Sequence, residues 1–102
     1  MQRHTIYLGL NDKETKTQQY DIITCYKMTQ NTCLKYVDGL TISLNDGIFK
    51  HSNGEITIEK SLKIELIYTD ELTARQIAND LKSMFNQEEL LFLTEDVKIA
   101  SL

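Results

Sequence analysis

A chain of 102 residues, 41% hydrophobic and 25% charged, is sized for a single domain spanning residues 1–102 and is too apolar for wholesale disorder. Its 11 basic side chains against 15 acidic ones give a net charge of −4 with no Lys/Arg cluster. That balance argues against direct DNA or RNA binding, where neutralising phosphates supplies most of the affinity.

The elements follow in order. Thr5 to Leu10 reads as a first strand, with Ile6 and Leu8 on one face and Thr5 and Tyr7 on the other. Asn11 to Lys16 is polar and reads as a loop. Ile22, Tyr26, Thr29, Cys33 and Val37 recur at helical spacing, which predicts a helix from Gln19 to Tyr36 despite several poor helix formers. Asp38-Gly39 supplies its stop signal.

Leu40, Ile42, Leu44 and Ile48 then share one face of a second strand, with a bulge expected at Asp46-Gly47. Asn53-Gly54 predicts a hairpin turn. Beyond it Ile56, Ile58, Leu62, Ile64, Leu66 and Tyr68 are expected to point inward, with Lys60 interrupting that face. Ala74, Ile77, Ala78, Leu81, Met84 and Phe85 make the apolar stripe of a second helix. Thr69, Asp70 and Glu71 provide capping oxygen and negative charge at its start, and Asn86-Gln87 closes it. Leu90 to Leu93 and Val97 to Leu102 complete a last strand, bent or divided at Glu95-Asp96. The order strand, helix, strand, strand, helix, strand is the split βαβ pattern. Right-handed crossovers place both helices on one face of an antiparallel sheet. The expected class is α+β, ferredoxin-like, with the other sheet face open.

Cys25 and Cys33 on one helix would stand roughly 12 Å apart, too far for a disulfide. They read as packed thiols in a reducing compartment. No apolar run reaches membrane-spanning length, and Asn11-Asp12 follows the first apolar run too closely for a signal peptide. A soluble, cytoplasmic protein is the expectation.

Neither His4 nor His51 has a spaced ligand partner, so no metal is expected. The glycines form no phosphate-cradling loop, no Gly-x-Ser-x-Gly elbow occurs, and no cofactor is called for. The expected open face carries Tyr7, Thr41, Ser43, Glu55, Thr57, Glu59, Lys63 and Glu65. One aromatic among carboxylates does not suit base stacking on RNA. It suits a basic protein partner, or water. Burial in a homodimer is a further option, with Phe49, Ile67 and either Leu90/Phe92 or Leu91/Leu93 as apolar cover.

Two sets of residues carry a family likeness. One is the opening Thr5-Ile6-Tyr7-Leu8-Gly9-Leu10-Asn11-Asp12. The other is Asp38-Gly39-Leu40-Thr41 with Gly47, Asn53-Gly54-Glu55, Glu59-x-Ser61 and the helix end Phe85-Asn86-Gln87-Glu88. The second set resembles a bacterial domain family of unknown function with a ferredoxin-like fold. The combination resembles small mobile-element proteins of Gram-positive bacteria, among them anti-CRISPR inhibitors of type II effector nucleases. That resemblance implies a non-enzymatic inhibitor whose acidic surface occupies a basic channel on the nuclease and blocks guide or target loading. The interface candidates are Tyr7, Glu55, Glu59 and Glu65 on the open face, with Asp70 and Glu71 nearby. The alternative is a domain that dimerises through its sheet and binds a small molecule or performs modest chemistry.

Overall fold

Six elements follow one another through the computed structural model, which describes Met1–Leu102: β1 (Gln2–Gly9), α1 (Ile22–Cys33), β2 (Thr41–Lys50), β3 (Ile56–Ile67), α2 (Glu71–Met84) and β4 (Leu91–Asp96). The four strands pair in the order β2-β3-β1-β4, every pair antiparallel. The fold is ferredoxin-like α+β, as the sequence predicts.

Alternation decides which side is packed. Ile6, Leu8 and Leu10 face Leu62, Ile64 and Leu66 beneath the helices, and all six are buried. Cys25 and Cys33 of α1 and Ala74, Ile77 and Leu81 of α2 close the core over them. Both thiols are free, and burial pushes Cys33 up to about 11 and Cys25 in the same direction. No helix is long and apolar enough to cross a membrane.

Both helices begin one residue after an aspartate. The Asp21 carboxylate accepts the Thr24 N–H at 2.7 Å, and the Asp70 carboxylate accepts the Thr73 N–H at 2.7 Å. Each satisfies one of the N–H groups a helix start leaves without a partner. The Asp21 cap makes α1 begin at Ile22 rather than Gln19, and the chain turns after Cys33, short of Tyr36.

Three other expectations are corrected. The Asp46-Gly47 bulge is absent, since register runs unbroken from Thr41↔Glu65 to Lys50↔Ile56. The turn occupies His51–Glu55, with Gly54 at φ 88° and the His51 N–H bonded to the Glu55 carbonyl. Val97–Leu102 is not a strand, because β1 begins at Gln2 and its last partner in β4 is Asp96.

The third correction concerns the outer half of the hairpin. It runs past the ends of both helices and lengthens the molecule to 47 Å against 26 and 24 Å. Ile56 and Ile58 occupy the helix-side face as expected but remain 64% and 63% exposed, and Ile48 is 69% exposed. Lys60 no longer interrupts a core there. It pairs with Asp46 across the strands at 2.6 Å.

This division of β3 has a measurable consequence. Ile64→Ala should cost about 2–5 kcal/mol of stability, the ordinary range for truncating a sealed core side chain. Ile58→Ala should cost under about 0.5 kcal/mol if its face stands in water. Denaturant titrations of the two variants check this. A loss near that of Ile64→Ala would mean that the projecting arm is covered in solution.

Candidate functional site

The open face is built by the residues that alternate with the core. Arg3, Thr5, Tyr7 and Gly9 of β1 lie beside Ile67, Glu65, Lys63 and Ser61 of β3, and Leu91, Leu93 and Glu95 of β4 flank β1. Arg3 pairs with Glu95 at 3.1 Å and Lys63 with Glu65 at 3.3 Å. The Lys63 ammonium also stands 5.9 Å from the centre of the Tyr7 ring, and its hydrogen bond to Glu65 is the main reason its pKa is raised.

Toward the hairpin this face deepens into a cleft of about 740 Å³, within the usual size range of small-molecule sites. Its floor is Tyr7, Gly9, Thr57, Glu59 and Ser61. The loop Asn11–Lys16 and residues Gln87–Glu89 form one wall, and Phe49 and His51 close the far end. The His51 Nε2 and the Thr57 hydroxyl lie 2.7 Å apart, which ties the hairpin tip to the floor.

Gly9 governs the near end. An added Cβ would come within 2.7 Å of Glu59 Oε1 and 2.9 Å of Gln87 Oε1. Two side chains therefore cross the strand where a third is missing, the close approach that glycine inside a strand signals. Glu59 Oε2 accepts the Asn11 N–H at 2.9 Å. The Gln87 amide donates to the carbonyls of Asn11 and Phe85. Asn86, at φ 49°, donates its amide to Asp12 at 2.9 Å, and its carbonyl accepts the Lys13 N–H. The end of β1, the middle of β3 and the C-terminus of α2 are thus bound in one network.

Neither His51 nor His4 belongs to a metal cluster, and no set of three or more His, Cys, Asp or Glu side chains converges. His4 is buried, stacked on Phe92, with its ring nitrogens against the Thr94 hydroxyl and the Thr69 carbonyl.

The six sequence-predicted interface residues fall into separate places. Tyr7 and Glu59 line the cleft, and Glu55 stands exposed in the hairpin loop. Glu65 and Asp70 line a second depression of about 560 Å³ at the opposite end of the sheet, beside Tyr36, Tyr68 and Thr69. Glu71 pairs with Arg75 along α2. Gly9, Asn11, Asp12 and Gln87 are not among the sequence-predicted site residues. The one available signal was a glycine inside a strand otherwise rich in large side chains.

No protein-family model and no curated protein sequence matches the chain. Solved structures do. A phage SAM lyase in complex with S-methyl-5′-thioadenosine superposes with a TM-score of 0.70 at 18% identity, covering 93% of this chain and 80% of its own. The apo form of phage SAM lyase gives 0.72 at 17% identity, covering 92% and 78%. CutA1 from Pyrococcus horikoshii gives 0.58 at 15% identity over 96% and 86%, and the B. subtilis GlnK–ATP complex gives 0.55 at 14% over 93% and 84%. At these identities the likeness establishes the shared fold.

The network has a pH signature. The Asn86 amide, then the Thr15 and Glu14 N–H groups, hold the Asp12 carboxyl below its ordinary value of 3.8. A depressed folded-state pKa gives stability that is complete above the unfolded value and is lost as pH falls through the folded one. Asp12→Asn should therefore flatten part of the fall in Tm below pH 3.8, while Asp21 and Asp70, lowered by their caps, retain their share. Thermal melts across an acid series check this, and parallel curves for wild type and variant would refute it.

Proposed function

We propose that the open-face cleft binds an adenosyl sulfonium and that the chain cleaves it, in the manner named for the phage lyase it resembles. The supporting observation is the cleft itself: a half-buried carboxylate, Glu59, lies at its floor with no cationic side chain paired to it. Tyr7 and Phe49 offer aromatic surface on either side of Glu59 along the sheet. The solved relatives bound to S-methyl-5′-thioadenosine and to ATP suggest an adenosine-bearing ligand.

Charge chooses between those two ligand types. Asp12, Glu59, Glu88 and Glu89 outnumber Lys13 and Lys16 in the cleft lining. A triphosphate would meet net repulsion there, and the chain has no glycine-rich loop to supply N–H groups in its place. A cationic sulfonium meets the opposite sign.

The reaction needs little from the protein. The bond from sulfur to the amino-acid γ-carbon breaks, and sulfur keeps the electron pair and leaves as the neutral thioether of methylthioadenosine. The substrate's own carboxylate oxygen closes on that carbon as a lactone. No water, oxidant or proton transfer is required. Attack of an anion on a cation destroys charge, so a desolvating apolar wall favours the step. Leu91, Tyr7 and Phe49 supply apolar lining.

Incubation with S-adenosylmethionine, with products separated by chromatography, should show methylthioadenosine formed faster than spontaneous breakdown. Glu59→Gln should slow that formation at least tenfold at subsaturating substrate. Product appearing only at the spontaneous rate would refute the lyase reading.

The projecting hairpin supports a second reading, that of a non-catalytic interaction protein. Glu55 is exposed in its loop beside Ile48, Phe49, Ile56 and Ile58, each more than 60% exposed. An arm that carries both charge and apolar area suits a protein partner. The partner is either a second copy of the chain or a basic protein, in its sharpest form a type II CRISPR effector nuclease whose guide or target loading is blocked. That inhibitor reading expects salt-sensitive capture of the effector and loss of inhibition on reversing Glu55, Glu59 and Glu65 to lysine together. Inhibition unchanged by the triple reversal would exclude this face.

A further inference from the structure

Two acceptor oxygens meet over Gly9, and their chemistry is fixed. Gln87 places its Nε2 between the carbonyls of Asn11 and Phe85. Only the amide nitrogen can donate to carbonyls, so the orientation of this side chain is settled and its Oε1 is turned toward the Gly9 Cα. Glu59 is held by the Asn11 N–H on Oε2, which leaves its Oε1 within 3 Å of where a Cβ on Gly9 would stand. Neither Oε1 accepts a hydrogen bond from the protein, and neither is sealed from the cleft.

A carboxylate oxygen and an amide oxygen that converge at an accessible point fit a ligand group with at least two donors. A carboxylate lacking a salt-bridge partner calls for positive charge. A sulfonium has no N–H or O–H to give. A ribose diol has donors but no charge. A primary ammonium has both.

We propose that the Glu59–Gln87 pair over Gly9 is a subsite for a primary ammonium, the α-amino group of an amino-acid-bearing ligand. The proposal rests on the sulfonium reading of the cleft and orients the substrate within it. The amino group is pinned at Gly9, and the nucleoside extends along the sheet toward an aromatic. This placement also suits the chemistry. A carboxylate beside the sulfonium would stabilise the charged ground state and slow its loss, whereas one at the ammonium holds a charge that the reaction does not change. Glycine is required here because a methyl group would collide with both oxygens and push them out of their convergent positions.

Calorimetric titration with S-adenosylhomocysteine and with methylthioadenosine compares two thioether nucleosides that differ by the amino-acid portion. Wild type should bind the former at least tenfold more tightly. Glu59→Gln and Gly9→Ala should each bring the two within twofold by weakening S-adenosylhomocysteine, with the far-UV spectrum intact. A preference that survives both substitutions overturns the subsite while leaving the cleft's nucleoside role standing.

A second arm needs no nucleoside. L-methionine methyl ester should shift the amide resonances of Gly9 and Asn11, its des-amino counterpart methyl 4-(methylthio)butanoate should not, and Glu59→Gln should abolish the difference. That pattern with no nucleoside binding would keep the subsite and remove the sulfonium reading. Equal shifts from both esters, or none from either, would overturn the subsite.

Discussion

The antiparallel pairing of β1 with β3, from Arg3↔Ile67 to Gly9↔Ser61, sets both faces of the molecule at once. Side chains alternate across a strand, so seven consecutive pairs assign each residue either to the helix layer or to the open face. One consequence is a core in which Ile6, Leu8, Leu62, Ile64 and Leu66 are fully buried. Another is that Tyr7, Gly9, Ser61 and Lys63 must share the opposite side. A slip of one residue would exchange the two sets. The cost of exposing five large aliphatic side chains, at about 1.5–3 kcal/mol each, keeps the cleft floor in place.

Much of this could be read from residues alone, because strand alternation and helix stripes are strong signals. The α2 stripe from Ala74 to Phe85, the turn at Asn53-Gly54 and the order of elements all appear where the pattern puts them. The pattern says which face a side chain takes but not how far the covering layer extends. Ile58 and Ile64 read alike in sequence, yet only Ile64 lies beneath the helices. A bulge at Asp46-Gly47 is the reading that spares β2 an early turn, but Gly47 lies in regular pairing with Glu59. An added Cβ would meet nothing closer than 3.5 Å there, so glycine is not demanded.

The cleft was hidden for a different reason. Its network joins residues separated by 48, 74 and 76 positions, through Glu59 to Asn11, Asn86 to Asp12 and Gln87 to Asn11. Asn11-Asp12 and Asn86-Gln87 carry the composition of loops and helix stops, and locally that is what they are. Their second role exists only because β1 and α2 end at the same end of the sheet. Gly9 alone bridges the two levels, since a strand tolerates glycine poorly unless something must come close.

Acidity looks different once the pairs are drawn. Among the open-face strand carboxylates, Glu95 is paired with Arg3 and Glu65 with Lys63. Exposed pairs of this kind contribute little to stability, about 0–1 kcal/mol, but they cancel the local field that a docking partner or ligand would sense. Glu59 has no such partner. It is also less exposed than Glu55, so solvent screens its charge less effectively. The net charge of −4 is therefore a poor guide to where this face attracts a cation. Among the strand carboxylates of this face the attraction centres on Glu59, seated over a glycine and backed by an amide oxygen that cannot turn away.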